Sequence, residues 1–327
     1  MPFKDIVGNN KVKQILKSYQ AKGRIPYSMI FSGPESASLP DFALGFVKSV
    51  NCTGTEGDFC DNCENCKDIN KSIFPDVTYL VPDGQFYKKD QILDLIEENY
   101  KRPMISDRKI FILSEANKMN ESSSNSFLKV LEEPSDSTIF ILLTKNKSQL
   151  LPTIRSRCQI LNFYSPTKKE IYNHLIKIGY DQDKAELLSS ISRSSIDNVL
   201  KEDFYTLQNK RSVYLEILEK LIKKKNIDEV LLALHDKSRN RSKFIDSFRE
   251  MINLISLMLR DIMIFKIELK KEFLINIDFS ENLFDLQRYI SLEKILYLIR
   301  RMEFIQRDIK RNLNSKILIL EFINSYV

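Results

Sequence analysis

Apolar residues in the first half of the chain alternate between two textures. Val12, Ile15, Leu16 and Tyr19 recur at helical spacing and predict a helix over 10–22. The compact run Tyr27-Ser-Met-Ile-Phe31, closed by Gly33, predicts a buried strand, and similar runs at 77–81, 109–113, 138–143 and 158–163 predict four more. Helical periods fill the gaps. One spans 91–101, and another ends at Glu133, ahead of Pro134, whose ring disfavours helical geometry in the residue before it. Strands alternating with helices over 1–165 predict an α/β fold built on a parallel sheet.

After Ser165-Pro166 the texture changes to almost continuous helical periods, and Gly179 is the only glycine beyond Thr167. Long amphipathic stretches at 244–269 and 292–326 need partners for their apolar stripes. The region therefore divides into a small helical part, 166–204, and a larger one, 205–327. A chain of 327 residues exceeds one compact core, which agrees with two or three domains. The most apolar stretch, 251–265, is shorter than the roughly 18–20 residues of a membrane span and carries Arg260 and Asp261, so it reads as a buried helix. The opening MPFKDIVGNN has no secretory core. A cytoplasmic protein without a membrane partner is expected. Charge adds little, because 50 Lys and Arg against 44 Asp and Glu leave only +6, which permits a nucleic-acid partner without pointing to one.

Cysteine changes the picture. Four of the five fall within 52–66 as C-x7-C-x2-C-x2-C. In a reducing compartment such clustering reads as metal ligation before disulfides. Zinc favours four tetrahedral thiolates, and Cys52, Cys60, Cys63 and Cys66 would fill all four positions, leaving none for water; the expected site is structural. The turn-forming Thr53-Gly-Thr-Glu-Gly-Asp58 would take its order from the metal. An iron–sulfur cluster uses the same ligands and stays open as an alternative, as do four unligated thiols. Cys158 reads as a small core residue, and His174 and His235 as ordinary polar positions.

A strand ending in Gly33 and followed by a helix is where a P-loop holds phosphate, through backbone amides, a lysine and a magnesium-binding hydroxyl. In Gly33-Pro-Glu-Ser-Ala-Ser38-Leu39-Pro40, Ser38 replaces the second glycine, Leu39 the lysine and Pro40 the hydroxyl. Lys109-Ile-Phe-Ile-Leu-Ser114-Glu115 has the form of the strand that ends in a magnesium-holding aspartate and a glutamate, with Ser114 in the aspartate's place. Alone, these segments would pass for ordinary loops.

Further motifs make them specific. Asn125-Ser-Phe-Leu-Lys-Val-Leu-Glu-Glu-Pro134 closely resembles N-A-L-L-K-x-L-E-E-P, and Leu151-Pro-Thr-Ile-Arg-Ser-Arg-Cys158 resembles L-x-x-I-x-S-R-C. Ile6-Val-Gly-Asn9 is similar to an opening I-x-G-[HQ], with Asn9 departing. Arg193-Ser-Ser-Ile-Asp-Asn-Val-Leu200 is a weaker likeness to R-G-S-x-R-[DE]-A-L, with Asp197 in place of the second arginine and the glycine missing. Together with the cysteine insertion, these elements cover about half the chain and resemble the AAA+ clamp-loader family of bacterial DNA polymerase III.

The resemblance implies an AAA+ P-loop-type sheet domain over 1–165 with a zinc-binding insertion near 51–67, a helical lid over 166–204, and a helical collar for oligomerisation over 205–327. ATP-hydrolysing members would show lysine and aspartate at the positions of Leu39 and Ser114. Their loss implies a member that binds no ATP and has no catalysis of its own. Through Arg157 it would supply an arginine finger in trans to a neighbour's nucleotide. Implied partners are γ/τ and δ subunits in a pentameric ring, the sliding clamp and primer–template DNA, within the polymerase III holoenzyme and DNA replication. Lys129 and Glu133 would face the ring channel, a subunit joint or simply solvent. Two other readings compete: an active γ/τ-like ATPase with a diverged P-loop, and a stand-alone zinc-module nucleic-acid-binding protein.

Overall fold

Five short apolar runs become five parallel strands: β1 (Ser28–Ser32), β2 (Val77–Leu80), β3 (Lys109–Leu113), β4 (Thr138–Thr144) and β5 (Gln159–Asn162), in the order β2-β3-β4-β1-β5. Each lies within one residue of its predicted ends. The structure is a computed structural model and describes residues 2–55, 57–192, 204–237, 241–269, 273–310 and 313–326.

Side chains alternate between the two faces of the sheet because the pleat has a period of two. Met29, Phe31, Ile110, Ile112, Ile139, Ile141 and Leu143 point to one face, where they meet α1 (Asn10–Ala21), α2 (Leu39–Asn51) and α3 (Glu64–Asn70). Ile30, Phe111, Leu113, Phe140 and Leu142 point to the other, against α4 (Lys89–Asn99), α5 (Glu121–Glu132) and α6 (Pro152–Arg157). With both faces covered, β1, β3 and β4 are buried throughout, which is why they read as unbroken apolar runs. Helix α4 starts two residues before its predicted position because the Gln91 side chain accepts the Lys88 amide at 3.0 Å and caps the first turn. Asn120 caps α5 by accepting the Ser123 amide at 2.8 Å.

The strand order reverses at β1, which lies between β4 and β5. The loop after β1 therefore opens at the carboxyl edge beside the loops after both neighbours, the usual crevice for a ligand in an open α/β sheet.

Residues up to His174 form one compact unit and those from Leu175 a second, so the division falls inside α7 (Lys168–Lys177), after the change of texture at Pro166. Thr167 and Glu170 form a reciprocal cap at the start of α7, with N–H···O distances of 2.8 and 3.2 Å. The described elements of the second unit are helical: α8 (Gln182–Ile191), α9 (Phe204–Ile222), α10 (Ile227–Lys237), α11 (Arg241–Lys266), α12 (Ser280–Leu286), α13 (Leu292–Lys310) and α14 (Ser315–Asn324), with 3-10 turns at Ile277–Phe279 and Gln287–Tyr289. The amphipathic stretch 292–326 is thus two helices; Asn314 accepts the Lys316 amide at 2.9 Å and begins the second.

The expected buried helix at 251–265 lies within α11, with Met251, Ile255, Met258 and Ile262 in the core. Its Asp261 is fully buried and accepts the amides of Ile275 and Asn276, the latter at 2.7 Å. Arg211 on α9 is also fully buried, and its guanidinium donates to both carboxylate oxygens of Asp278 at 2.7 and 2.8 Å. A buried charge left unpaired would destabilise by several kcal/mol, roughly 3–5, so these contacts are conditions for the packing around them. Among the described residues no helix is long and apolar enough to cross a membrane.

Candidate functional site

The loop after β1 has the position of a phosphate cradle but not its chemistry. Gly33 donates its amide to the Thr144 carbonyl at 3.1 Å. A Cβ at this position would lie 2.7 Å from the Phe163 carbonyl oxygen, so close packing of β1 against the end of β5 already requires the glycine. Gly33→Ala is expected to destabilise the chain by about 1–3 kcal/mol, read as a lower urea midpoint. The next residues, Glu35–Ala37, form a 3-10 turn in which the Ala37 amide donates to Pro34 and the Ser38 amide to Glu35, at 3.0 and 3.3 Å. Amides used inside a turn are not aimed at a ligand, and Pro34 and Pro40 have none to offer.

Leu39 begins α2 and is 6% exposed, packed into the core with Phe42. Glu35 puts a carboxylate into the loop, paired with Lys145 at 2.6 Å, and the Ser36 and Ser165 hydroxyls meet at 2.6 Å. The loop is tied down to the segments that follow β4 and β5. At the end of β3, the Ser114 carbonyl accepts the Tyr87 hydroxyl at 2.5 Å, and its amide donates to Leu80 at 2.9 Å. Glu115 has a left-handed backbone, φ 46°, and its carboxylate pairs with Lys118 at 2.8 Å. The end of β3 thus offers one hydroxyl and one carboxylate already paired with lysine.

The cysteine cluster comes together as its spacing predicts. Cys52 follows α2, Cys63 immediately precedes α3 and Cys66 lies in the first turn of α3; the ligand atoms of Cys52, Cys60, Cys63 and Cys66 all lie within 4.8 Å of one another. A tetrahedron with Zn–S bonds of about 2.3 Å has S···S edges of about 3.8 Å. The Cys52–Cys63 separation of 4.0 Å is close to that edge. The Cys63 and Asn62 amides donate to the Cys60 sulfur at 3.2 and 3.4 Å, support that a thiolate needs, and they draw its pKa down. Burial pushes the Cys63 thiol up, but hydrogen bonds from the backbone of Cys66 and Thr53 outweigh it and bring it to about 5. Cys66 is fully buried, and desolvation pushes it up. Gly54 is a second positional glycine, since a Cβ there would lie 2.9 Å from the Cys60 sulfur. The donor set fits a closed four-thiolate site and can hold zinc.

Arg157 is the last residue of α6. Its guanidinium donates to Glu132 at 2.7 Å and to the Thr153 carbonyl at 3.1 Å, while its own carbonyl accepts the Ser28 hydroxyl at 2.8 Å. The side chain is 36% exposed and Glu132 52%, so the ion pair is a surface one. Cys158 beside it is a core thiol pushed up to about 11 by burial, which fits packing and not nucleophilic chemistry. Lys129 and Glu133 are exposed, and His174 is half-buried. The segment 193–200, with Asp197, and the His235 side chain lie outside the described residues.

Residues 8–167 match the family described as "DNA polymerase III, delta subunit". This stretch is just under half of the chain. It holds the phosphate-type loop, the four cysteines and Arg157. The chain is 35% identical over 189 residues to DNA polymerase III subunit delta′ of Bacillus subtilis, covering 58% of this chain and 57% of that relative. It is 32% identical over 175 residues to a gamma/tau subunit of Mycoplasma pneumoniae, covering 54% of this chain and 25% of that one. The matches thus span about half or less of these relatives. A gamma-subunit-related protein of Thermotoga maritima shares the fold, with a TM-score of 0.50, 20% identity and 97% of each chain covered.

Proposed function

We propose that this chain is a delta′-type clamp-loader subunit of DNA polymerase III that binds no ATP itself and completes a neighbouring subunit's ATP site with Arg157. The observation that carries the reading is the closed loop after β1: Leu39 is buried in the core where a lysine would have to reach phosphate. Glu35 in the same loop is held in an ion pair with Lys145. In equilibrium dialysis with labelled ATP and magnesium, the isolated chain is expected to show no binding at millimolar nucleotide. Saturable micromolar binding would make it a γ/τ-like ATPase with a diverged loop.

An arginine finger needs a permanent, planar charge at an exposed edge, and the guanidinium of Arg157 meets both conditions. Cys52, Cys60, Cys63 and Cys66 would hold one structural zinc that fixes the insertion after α2. The helical segments 166–204 and 205–327 would serve as lid and collar, the collar joining γ/τ and δ subunits in a five-membered ring that places the sliding clamp on primed DNA in the cytoplasm. Co-expression with those subunits and light scattering is expected to give one hetero-oligomer. A chain that stays monomeric and binds DNA tightly by itself, with a steep salt dependence, would instead be a zinc-module nucleic-acid-binding protein.

A further inference from the structure

The cysteine insertion does more than close on itself. Between Cys52 and Cys60 it carries Asp58 and Phe59, and Phe59 is 2% exposed although its loop has no core of its own. Phe59 is buried against the N-terminal strap. Its ring meets that of the fully buried Phe3 edge-on, with centroids 5.4 Å apart. Asp58 accepts the Phe3 amide at 3.0 Å and the Phe59 amide at 2.9 Å through one oxygen, and pairs with Lys17 of α1 at 2.8 Å through the other. Lys48 of α2 sits 4.3 Å from the centroid of the Phe59 ring and pairs with Asp61 at 2.5 Å. Gly45 of α2 leaves room for both partners: a Cβ there would meet Phe59 at 3.1 Å and Ile6 of the strap at 3.2 Å.

The strap's other end is fastened to the chain leaving the sheet. The Asn9 side chain accepts the Tyr164 amide at 2.8 Å and donates to the Tyr164 carbonyl at 2.9 Å. Gly8, at φ +76°, lies against Pro166, which a Cβ would meet at 3.3 Å. Residues 3–9 therefore bridge the cysteine insertion and the segment 164–166 between β5 and α7. Apart from a single 3-10 turn at Phe3–Asp5, the strap has no helix or strand of its own.

We propose that metal at Cys52, Cys60, Cys63 and Cys66 acts as a clasp, with Asp58 and Phe59 as its contact face, that fixes the N-terminal strap and through it the exit path of the chain after β5. The inference rests on the metal reading of the four cysteines. The segment 53–59 contains Gly54 and Gly57, and among its described residues only Phe59 is buried, so ordering it requires an external source of free energy, which four metal–thiolate bonds would supply. With the metal removed, Phe59 and Asp58 lose their fixed position, and the strap loses the partners of Phe3.

Hydrogen–deuterium exchange on the full chain tests this, with zinc content measured on every sample. In the zinc-loaded chain, peptides covering 3–9 should be protected. After chelation their exchange should rise at least about tenfold, with a smaller rise at 163–167, while peptides from β3 and β4 remain far more protected than the strap. Unchanged protection of the strap in a chain shown to be zinc-free would overturn the clasp and leave the metal site standing. A chain that neither carries nor takes up zinc would remove the metal reading and the clasp together. Should chelation unfold the whole unit, Asp58→Asn decides. It should retain one zinc per chain and still show faster exchange at 3–9, whereas wild-type protection with zinc in place would overturn the assignment.

Discussion

Removing the metal from the cysteine cluster is expected to lower the stability of the α/β unit by about 3–5 kcal/mol, a shift of about 10 °C in its melting temperature. In zinc-finger peptides the whole folding free energy comes from the ion, roughly 10–16 kcal/mol. Here Cys66 and its neighbours Ile69 and Phe74 already belong to a core shared with α2 and the sheet, so part of the insertion stays folded without metal and the loss is smaller. Cys63→Ser should reproduce the effect, because Cys63 joins the two halves of the site, 4.0 Å from Cys52 and donating its amide to Cys60. Elemental analysis should give one zinc per chain, and visible absorbance should be absent. Iron with sulfide, or a metal-free chain whose melting is insensitive to chelator, would sink the zinc assignment. Protons compete with the ion for thiolates, so the metal's contribution should be greatest at neutral pH and above and decline as the solution is acidified.

How far the molecule could be read from its sequence depended on the distance over which each feature acts. Buried strands flanked by turn residues have a local signature, and all five are where the apolar runs place them. Their lateral order, β2-β3-β4-β1-β5, has none, because it is set by how crossovers pack. The four cysteines are legible for a chemical reason: a C-x2-C step is short enough for its own turn to bring two sulfurs together. Contacts spanning long separations left no trace. Asn9 looked like a departure from an expected motif, and only the fold shows that its side chain fastens two backbone groups of Tyr164, 155 residues away. The Arg211–Asp278 pair, 67 residues apart, joins α9 to the 3-10 turn at Ile277–Phe279, in a region whose sequence carries no motif. Leu39 was legible as a missing charge, but its burial in the core was not.

The largest functional effect is expected at Arg157. In an assembly reconstituted with the ATP-hydrolysing subunits, Arg157→Ala should lower clamp-stimulated ATP turnover at the one site it completes by about 10³-fold or more, the range seen when trans-acting arginines are lost from GTPase systems. A thousandfold corresponds to about 4 kcal/mol of transition-state stabilisation. The contact given up within this chain is far smaller. The Arg157–Glu132 pair is exposed on both sides, and surface pairs of this kind contribute about 0–1 kcal/mol. The stability of the variant should therefore stay within about 1 kcal/mol of wild type, and light scattering should show the same stoichiometry. On the proposed role the same disparity would let one side chain serve two partners: Glu132 holds the guanidinium in this chain, and a more highly charged γ-phosphate would take it over. Arg157→Lys keeps the charge but not the planar fork, and should recover only a minor part of the rate. An assembled complex carrying Arg157→Ala with wild-type turnover would show that the guanidinium only closes the end of α6.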